Sequence, residues 1–329
     1  MRRDIVVVGA SAGGLEAVSK LVENIAAFKG AIFVVIHTGP GGPGLLADLL
    51  NRRGTLPTLN AEDGKRIQPG YIHVAPPDHH LVLERGRMRL IKGPMENRHR
   101  PSIDALFRSA ANAYGPQVIG VVLTGYLDDG SAGMLAIKRN GGLAVVQDPR
   151  DALVPAMPQA AIDHADVDYI LPLAEIPALL TSLVNNGTEI AMSPENEFEP
   201  NSTSNDAKGD PSAYTCPQCH GTLWEVHDGG LLRFGCRVGH SFSSESMLED
   251  QKDAVERALW AAMRSLEERA DLTARLAKRA EQQAHQHAAG RFRHQSEAAR
   301  HNADVLRRIL TNGEEIQVRE RHDEVAKPA

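Results

Sequence analysis

DIVVVGASAGGLEAVSKLV, Asp4 to Val22, runs an apolar strand into a Gly-rich turn and then into a helical pattern. Two chemistries use that arrangement: a turn that cradles a dinucleotide, and an elbow that presents a nucleophilic serine. A dinucleotide fingerprint needs glycine at its first, third and sixth positions and an acidic residue at the end of the second strand. Here the third position is Ser11, and the second strand, GAIFVVIH, ends in His37. Residues 9–13, Gly-Ala-Ser-Ala-Gly, instead match the G-x-S-x-G elbow. Its glycines permit a tight turn, and Ser11 then opens a helix whose dipole and free amides favour a developing oxyanion.

Working outward, strand runs alternate with helical patterns as far as about Val184. LEAVSKLVENI follows the first strand and LLADLLNRRG the second; QVIGVVLTG, SAGMLAIKRNG and LAVVQD continue the series. The strands are continuously apolar rather than alternating, as in a parallel sheet covered on both faces. GYIHVAPPDHHLVLERGRMRLIKG interrupts them and reads as short antiparallel strands with a turn at Arg85-Gly86. The expected fold is α/β, a doubly wound, mostly parallel sheet with a small β insertion. In such a sheet, groups that follow the carboxyl ends of strands meet in space. Ser11 and His37 each follow one, and Asp128 and Asp129 follow a third, in VIGVVLTGYLDDGSAG. Together they supply a serine, a base and an orienting acid.

The chain has 329 residues, 42% hydrophobic and 24% charged, with a net charge of −6 that gives no reason to expect a nucleic-acid partner. No apolar run approaches the roughly 20 residues needed to span a bilayer, and the start lacks a signal peptide's apolar region, so a cytoplasmic protein is expected. Three cysteines, all within Cys216 to Cys236, make no disulfide framework.

GASAGG, AEDGKRIQPGYIHVAPPDHHL, NRHRPSIDALF, LTGYLDDGSAGM and GLAVVQDPRDALVPAMPQAAI occur in this order. On these motifs the segment from about Ile5 to Leu180 resembles the catalytic domain of the chemotaxis protein-glutamate methylesterases (CheB). The resemblance implies a serine hydrolase that removes methyl groups from glutamyl γ-methyl esters of chemoreceptors, with a related deamidation of receptor glutamines. It implies Ser11 as nucleophile, His37 as base and Asp129, the Asp immediately before Gly130, as the acid. Asp128 stands where the family often has Asn. Ala12 and Gly13 follow the nucleophile and lie in the oxyanion vicinity, as does Tyr126 of LTGYL, which departs from the family's LTGMG. Ala12 stands where Thr is frequent, and the loop after His37 reads TGPGG rather than MPPG. The chain begins directly with the catalytic strand, without the phospho-receiver domain such enzymes usually carry, so phosphorylation control within this chain is not expected.

Arg98, His99 and Arg100 precede a Pro-Ser helix start. They read either as a rim that holds acidic substrate segments through arginine's bidentate fork or as a solvated basic loop. Ser102 reads as a helix cap rather than a second nucleophile. The resemblance assigns the three histidines of HVAPPDHH to β structure, not to a metal.

Four regions are expected: a catalytic domain at 1–186, a polar flexible linker at 187–212, a metal-binding module at 213–243 and a helical tail at 244–329. Cys216 and Cys219 form C-x2-C; 16 residues intervene before Cys236, and His240 follows after three more. Two ligand pairs on two knuckles suit a zinc-ribbon-like site, closed and therefore structural, with His220 and His227 as less well spaced alternatives for the fourth ligand. The module's few apolar residues (Leu223, Trp224, Val226, Leu231, Leu232, Phe234) leave much of its folding to zinc. Across a polar linker, its unfolding is expected to spare the esterase domain. In the Ala-rich tail Gly290 is the one obvious breaker, which suggests a helical hairpin. Met247, Val255, Leu259, Met263, Leu266 and Leu276 form an apolar stripe for internal packing or self-association. No cofactor is expected for catalysis, and the expected partner is a methylated chemoreceptor or similar acidic protein. The rival expectation is a weakly catalytic scaffold or regulatory binding protein of a chemosensory or two-component pathway.

Overall fold

The structure, a computed structural model, describes residues 2–37, 44–186, 209–228 and 230–312. Its first region runs β1 (Ile5–Ala10), α1 (Gly14–Glu23), β2 (Ala31–Ile36), α2 (Leu46–Arg53), β3 (Thr58–Asn60), β4 (Ile72–Val74), β5 (His80–Glu84) and β6 (Arg87–Ile91). It continues through α3 (Ile103–Tyr114), β7 (Val118–Val122), α4 (Ser131–Arg139), β8 (Leu143–Gln147), α5 (Ala156–His164), β9 (Tyr169–Leu171) and α6 (Ile176–Asn185). Seven strands form one sheet in the order β3-β4-β2-β1-β7-β8-β9, and every pair in it is parallel. The order reverses direction at β1, so a crevice opens between the loops that leave β1 and β7.

The apolar runs have the cause their composition suggests. Alternate residues of β1 enter different cores: Val7 packs with Phe107 of α3 and Met134 of α4, while Val6 and Val8 pack with Leu21 of α1 and Leu180 of α6. Each such side chain contributes about 1.5–3 kcal/mol on burial, so neither face of β1 tolerates a polar residue. Gly9, the break in that run, has a local reason. A Cβ there would lie 2.3 Å from Cγ2 of Ile103, so glycine lets the start of α3 press onto β1.

The insertion is narrower than the sequence suggests. Only β5 and β6 form an antiparallel hairpin, turning at Arg85-Gly86 with Gly86 at φ 75°. Ile72–Val74 joins the parallel sheet beside β2, because its three side chains are all buried and can be covered there on both faces.

The expected linker falls largely on residues 187–208, outside the described residues. After it come β10 (Asp210–Thr215), β11 (Thr222–Asp228), β12 (Leu231–Cys236) and β13 (Ser241–Ser243), a four-stranded antiparallel sheet. Its small core is Cys216, Leu223, Phe234, Cys236, Phe242 and Met247. The long helix α7 (Ser244–Gln282) and α8 (Gln286–Asn312) complete the chain.

Met1–Leu248 and Glu249–Ala329 are two compact units. In the second, the turn lies at Gln283–His285, where Ala284 takes φ 60°, and Gly290 sits inside α8. The seam between the helices is small: Ala270, Thr273, Ala277 and Ala280 face Ala289, Ser296, Ala299 and Ala303, all buried, and Ser296 Oγ donates to the Ala270 carbonyl at 2.8 Å. The expected apolar stripe is therefore not the seam. Met247 belongs to the Cys-rich core, and Val255 is 56% exposed. No described helix is long and apolar enough to cross a membrane.

Candidate active site

β1 delivers Ser11, β2 delivers His37, and the loop after β7 delivers Asp129 to the crevice at the sheet's carboxyl edge. The serine turn is pinned from both sides. The Ser11 amide donates to the Thr124 carbonyl at 3.0 Å, and Thr124 Oγ1 donates to the Ala12 carbonyl at 2.9 Å. Gly13 takes the left-handed φ of 75° that lets α1 start immediately. Gly125 packs closely on Ser11 itself, since a Cβ there would lie 2.8 Å from Ser11 Cβ.

Ser11 Oγ lies 3.1 Å from His37 Nδ1, and His37 Nε2 lies 2.8 Å from Asp129 Oδ2. An ionised carboxylate only accepts hydrogen bonds, so the ring hydrogen sits on Nε2 and Nδ1 is left to accept the serine's proton. The His37 and Asp129 side chains are 4% and 2% exposed. His99 stacks on His37, with centroids 3.6 Å apart and planes at 10°. Burial foremost, with His37 and Arg98 adding to the fall, pushes His99 down to about 4, so a neutral ring covers the His37 imidazole.

Asp129 is held by more than histidine. Oδ2 also accepts the Ile103 amide at 2.7 Å. Oδ1 accepts Asn97 Nδ2 at 2.9 Å, Ser102 Oγ at 3.0 Å and the Asp104 amide at 3.2 Å. Burial alone would raise this carboxyl; the hydrogen bond from His37 foremost, with that from Asn97, outweighs it and holds Asp129 well below the usual carboxylate range. Asp129 is thus the anion at the start of α3. Ser102 occupies the N-cap position but makes no side-chain cap bond of its own, because its hydroxyl donates to Asp129. Asp104 does the same for α4, accepting the Gly130 and Gly133 amides at 3.1 and 2.6 Å. Burial and the neighbouring Asp129 push Asp104 up to about 6.

Asp128 turns away from the histidine and accepts Ser243 Oγ at 2.6 Å. Burial pushes it up to about 7, with Asp104, Glu245 and Asp129 adding to the rise and the Ser243 bond opposing it.

Tyr126, expected in the oxyanion vicinity, is 64% exposed. Arg100 is committed elsewhere: its guanidinium pairs with Asp78 and donates to the Gly93 carbonyl, so it braces the insertion rather than standing free for a substrate. Arg98 is partly buried with φ 71°, next to Asn97 at φ 49°. The TGPGG loop after His37, residues 38–42, lies outside the described residues. Asn97 and Asp104 carry no mark in the sequence beyond their place in NRHRPSIDALF. The basic residues of that segment draw attention, yet its asparagine is what reaches the acid.

The CheB methylesterase family model matches residues 6–180, more than half of the chain. This chain belongs to the CheB methylesterase family. The crystal structure of the Thermotoga maritima CheB methylesterase catalytic domain is similar at a TM-score of 0.54 and 34% identity, over 56% of this chain and 100% of that one. A Leptospira interrogans relative, named for protein-glutamate methylesterase/protein-glutamine glutaminase activity, is 38% identical over 57% of this chain and 99% of its own length. The protein-glutamate methylesterase/protein-glutamine glutaminase of Escherichia coli K12 is 34% identical over 56% of this chain, which spans 54% of that relative.

Beyond the CheB methylesterase match, Cys216, Cys219, Cys236 and His240 bring their ligand atoms within 4.8 Å of one another. Cys219 and Cys236 sulfurs are 3.6 Å apart, and His240 Nδ1 lies 3.7 and 3.5 Å from the Cys216 and Cys236 sulfurs. A tetrahedral zinc with ordinary bond lengths would place two sulfurs about 3.8 Å apart and a sulfur and nitrogen about 3.6 Å apart, so the donor set fits that ion. His220 and His227 lie outside the cluster, and it is the one such group among the described residues.

This Cys-rich module is not mechanically separate from the methylesterase domain. The Ser241 amide donates to the Met95 carbonyl, and the Asn97 amide donates to the Ser241 carbonyl at 2.8 Å. Arg233 approaches Glu96 at 3.8 Å, and Glu96 also pairs with both oxygens on Arg108 Nη2 at 2.9 Å. The expectation that a polar linker isolates the module overlooks this contact, which joins residues far apart in sequence.

Proposed function

We propose that this chain hydrolyses γ-methyl esters of glutamyl side chains on methylated chemoreceptor proteins. The observation that carries this is the unbroken relay from Ser11 Oγ through His37 to a buried, fully bonded Asp129. His37 Nδ1 takes the serine proton as Oγ attacks the ester carbonyl. Asp129 stabilises the imidazolium that forms. The Ser11 amide is already bonded to Thr124, so the oxyanion falls to the amides that follow it, Ala12 and Gly13, at the start of α1. Nδ1 returns the proton to the departing methoxide, methanol leaves, and a glutamyl ester on Ser11 remains. Water, deprotonated by the same nitrogen, then releases the γ-carboxylate and the serine. With a glutamine substrate ammonia leaves in the first step, which accounts for the second activity in the relatives' names.

Cys216, Cys219, Cys236 and His240 are proposed to hold a structural zinc, four protein ligands leaving no position for substrate. The setting is cytoplasmic, where thiolate ligands stay reduced. Incubation of the purified protein with methylated receptors, measuring methanol release, tests the function. Wild type should release methanol, and Ser11→Ala should lose essentially all of it while keeping its fold. Full activity in Ser11→Ala refutes the serine mechanism.

A further inference from the structure

Asn97 is 2% exposed, and both hydrogens of its carboxamide have carboxylate acceptors: Asp129 Oδ1 at 2.9 Å and Asp104 Oδ2 at 2.8 Å. Its oxygen is engaged on the opposite side. Asn97 Oδ1 accepts the Ser243 amide at 3.0 Å and Ser246 Oγ at 3.4 Å. Those two donors decide which end of the carboxamide faces the triad. Turned the other way, its oxygen would meet two carboxylates and its NH2 would meet a backbone N–H.

The donors belong to the junction of the Cys-rich module and α7. Ser243 caps α7 in a reciprocal box: its Oγ accepts the Ser246 amide at 3.1 Å, and Ser246 Oγ accepts the Ser243 amide at 2.9 Å. The remaining hydrogen of Ser243 Oγ goes to Asp128, the neighbour of the triad acid. Three residues upstream is His240 of the Cys3His cluster, and the Cys236 amide ties to the His240 carbonyl at 3.0 Å. The position of Ser243 therefore follows that of the cluster.

We propose that Asn97 is a positioning residue for the triad, and that the Cys-rich module sets its orientation, making the reactivity of Ser11 depend on an assembled metal cluster more than 200 residues away in sequence. This rests on the Ser11-His37-Asp129 assignment. The inference concerns control: what the module grips is Asn97, which in turn donates to the oxygen of Asp129 that does not touch His37, so the module acts on the acid without entering the crevice.

The test labels Ser11 in the full chain with a fluorophosphonate, which needs an activated serine and no receptor. Asn97→Gly keeps a residue at ease with the left-handed φ of 49°. Its labelling rate should fall about 10- to 100-fold, the worth of a hydrogen bond to a buried charge. Turnover of a methyl ester should fall similarly in kcat at unchanged KM. Labelling within about 2-fold of wild type, or a change confined to KM, overturns the positioning role.

The module arm treats the wild-type full chain with a zinc chelator, following release of its three thiols with a chromogenic disulfide. Labelling should slow about 10-fold as thiols appear and recover on adding zinc, while Asn97→Gly should show no further slowing. Freed thiols with unchanged labelling, or losses that simply multiply, overturn the link between module and acid. This arm stands on wild type alone if Asn97→Gly does not fold. Failure of wild type to label at all would overturn the triad assignment itself, and this inference with it.

Discussion

Asp129→Asn is the sharpest probe of the acid, because the structure says what each atom of the new side chain meets. The carboxylate accepts five hydrogen bonds, two on Oδ2 and three on Oδ1. Asparagine turns one acceptor into an NH2 group. At the Oδ2 position that group faces His37 Nε2 and the Ile103 amide, forces the ring hydrogen onto Nδ1 and removes the base from Ser11. At the Oδ1 position it faces Asn97 Nδ2 and the Asp104 amide, and the charge that supports the imidazolium is lost in either case. Two charge-assisted bonds at about 1.5–3 kcal/mol each put the stability loss near 3–6 kcal/mol. Activity should fall about 10²- to 10⁴-fold, or roughly 3–5 kcal/mol of barrier. Urea unfolding and fluorophosphonate labelling measure the two separately. Asp128→Asn is the control: its amide oxygen still accepts from Ser243, and labelling should change less than about 5-fold. Equal losses at the two positions, or a larger one at Asp128, would refute the assignment.

Gly125→Ala would place a methyl 2.8 Å from Ser11 Cβ and 2.7 Å from Met157 Cε. A displacement of the nucleophile on the order of 1 Å should cost about 100-fold in kcat, read by methanol release, and near-normal turnover would show that Met157 yields instead. Asp128 has its folded pKa raised to about 7, so its contribution to stability is present below its unfolded value of about 3.9 and is lost as pH rises through 7. Asp128→Asn should therefore gain on the order of 2–4 kcal/mol over wild type at pH 8 and little at pH 4, by urea unfolding at both values; equal effects at both would contradict the burial of its charge. Metal analysis should find about one zinc per chain, lost in Cys216→Ser, with a change in Trp224 fluorescence on chelation. Metal-free protein from a chelator-free preparation would count against the site.

What can be read in the sequence is what local spacing determines. The strands β1 and β2 announce themselves because both faces of a parallel sheet are covered, and Ser11, His37 and Asp129 stand beside strand ends, where the crevice must form. The Cys-x2-Cys and Cys-x3-His pairs are legible for the same reason: each sits on one tight turn. Contacts made at a distance leave no periodic trace. Ser243 is 115 residues from Asp128 and 146 from Asn97. Ile72–Val74 is too short to show whether it pairs in the main sheet or the hairpin. Arg100 looks like a free guanidinium until Asp78 is folded against it. The helical tail turns at Ala284 rather than Gly290, which sits exposed within α8 and outside the alanine seam, where a single glycine costs a helix only about 1 kcal/mol.

The histidine presents Nδ1, not Nε2, to the serine. Nδ1 is the ring nitrogen nearer the pivot at Cβ, so the imidazole works as a short lever: a given swing of the side chain carries the proton a smaller distance. Such a base cannot go looking for its partner. With Asp129 holding the far nitrogen and His99 lying flat on the ring, the distance to be crossed is set almost wholly from the serine's side, by a turn whose amide is tied to Thr124 and whose side chain is pressed by Gly125. In this crevice precision belongs to the backbone at Ser11, and His37 is the stationary member of the pair.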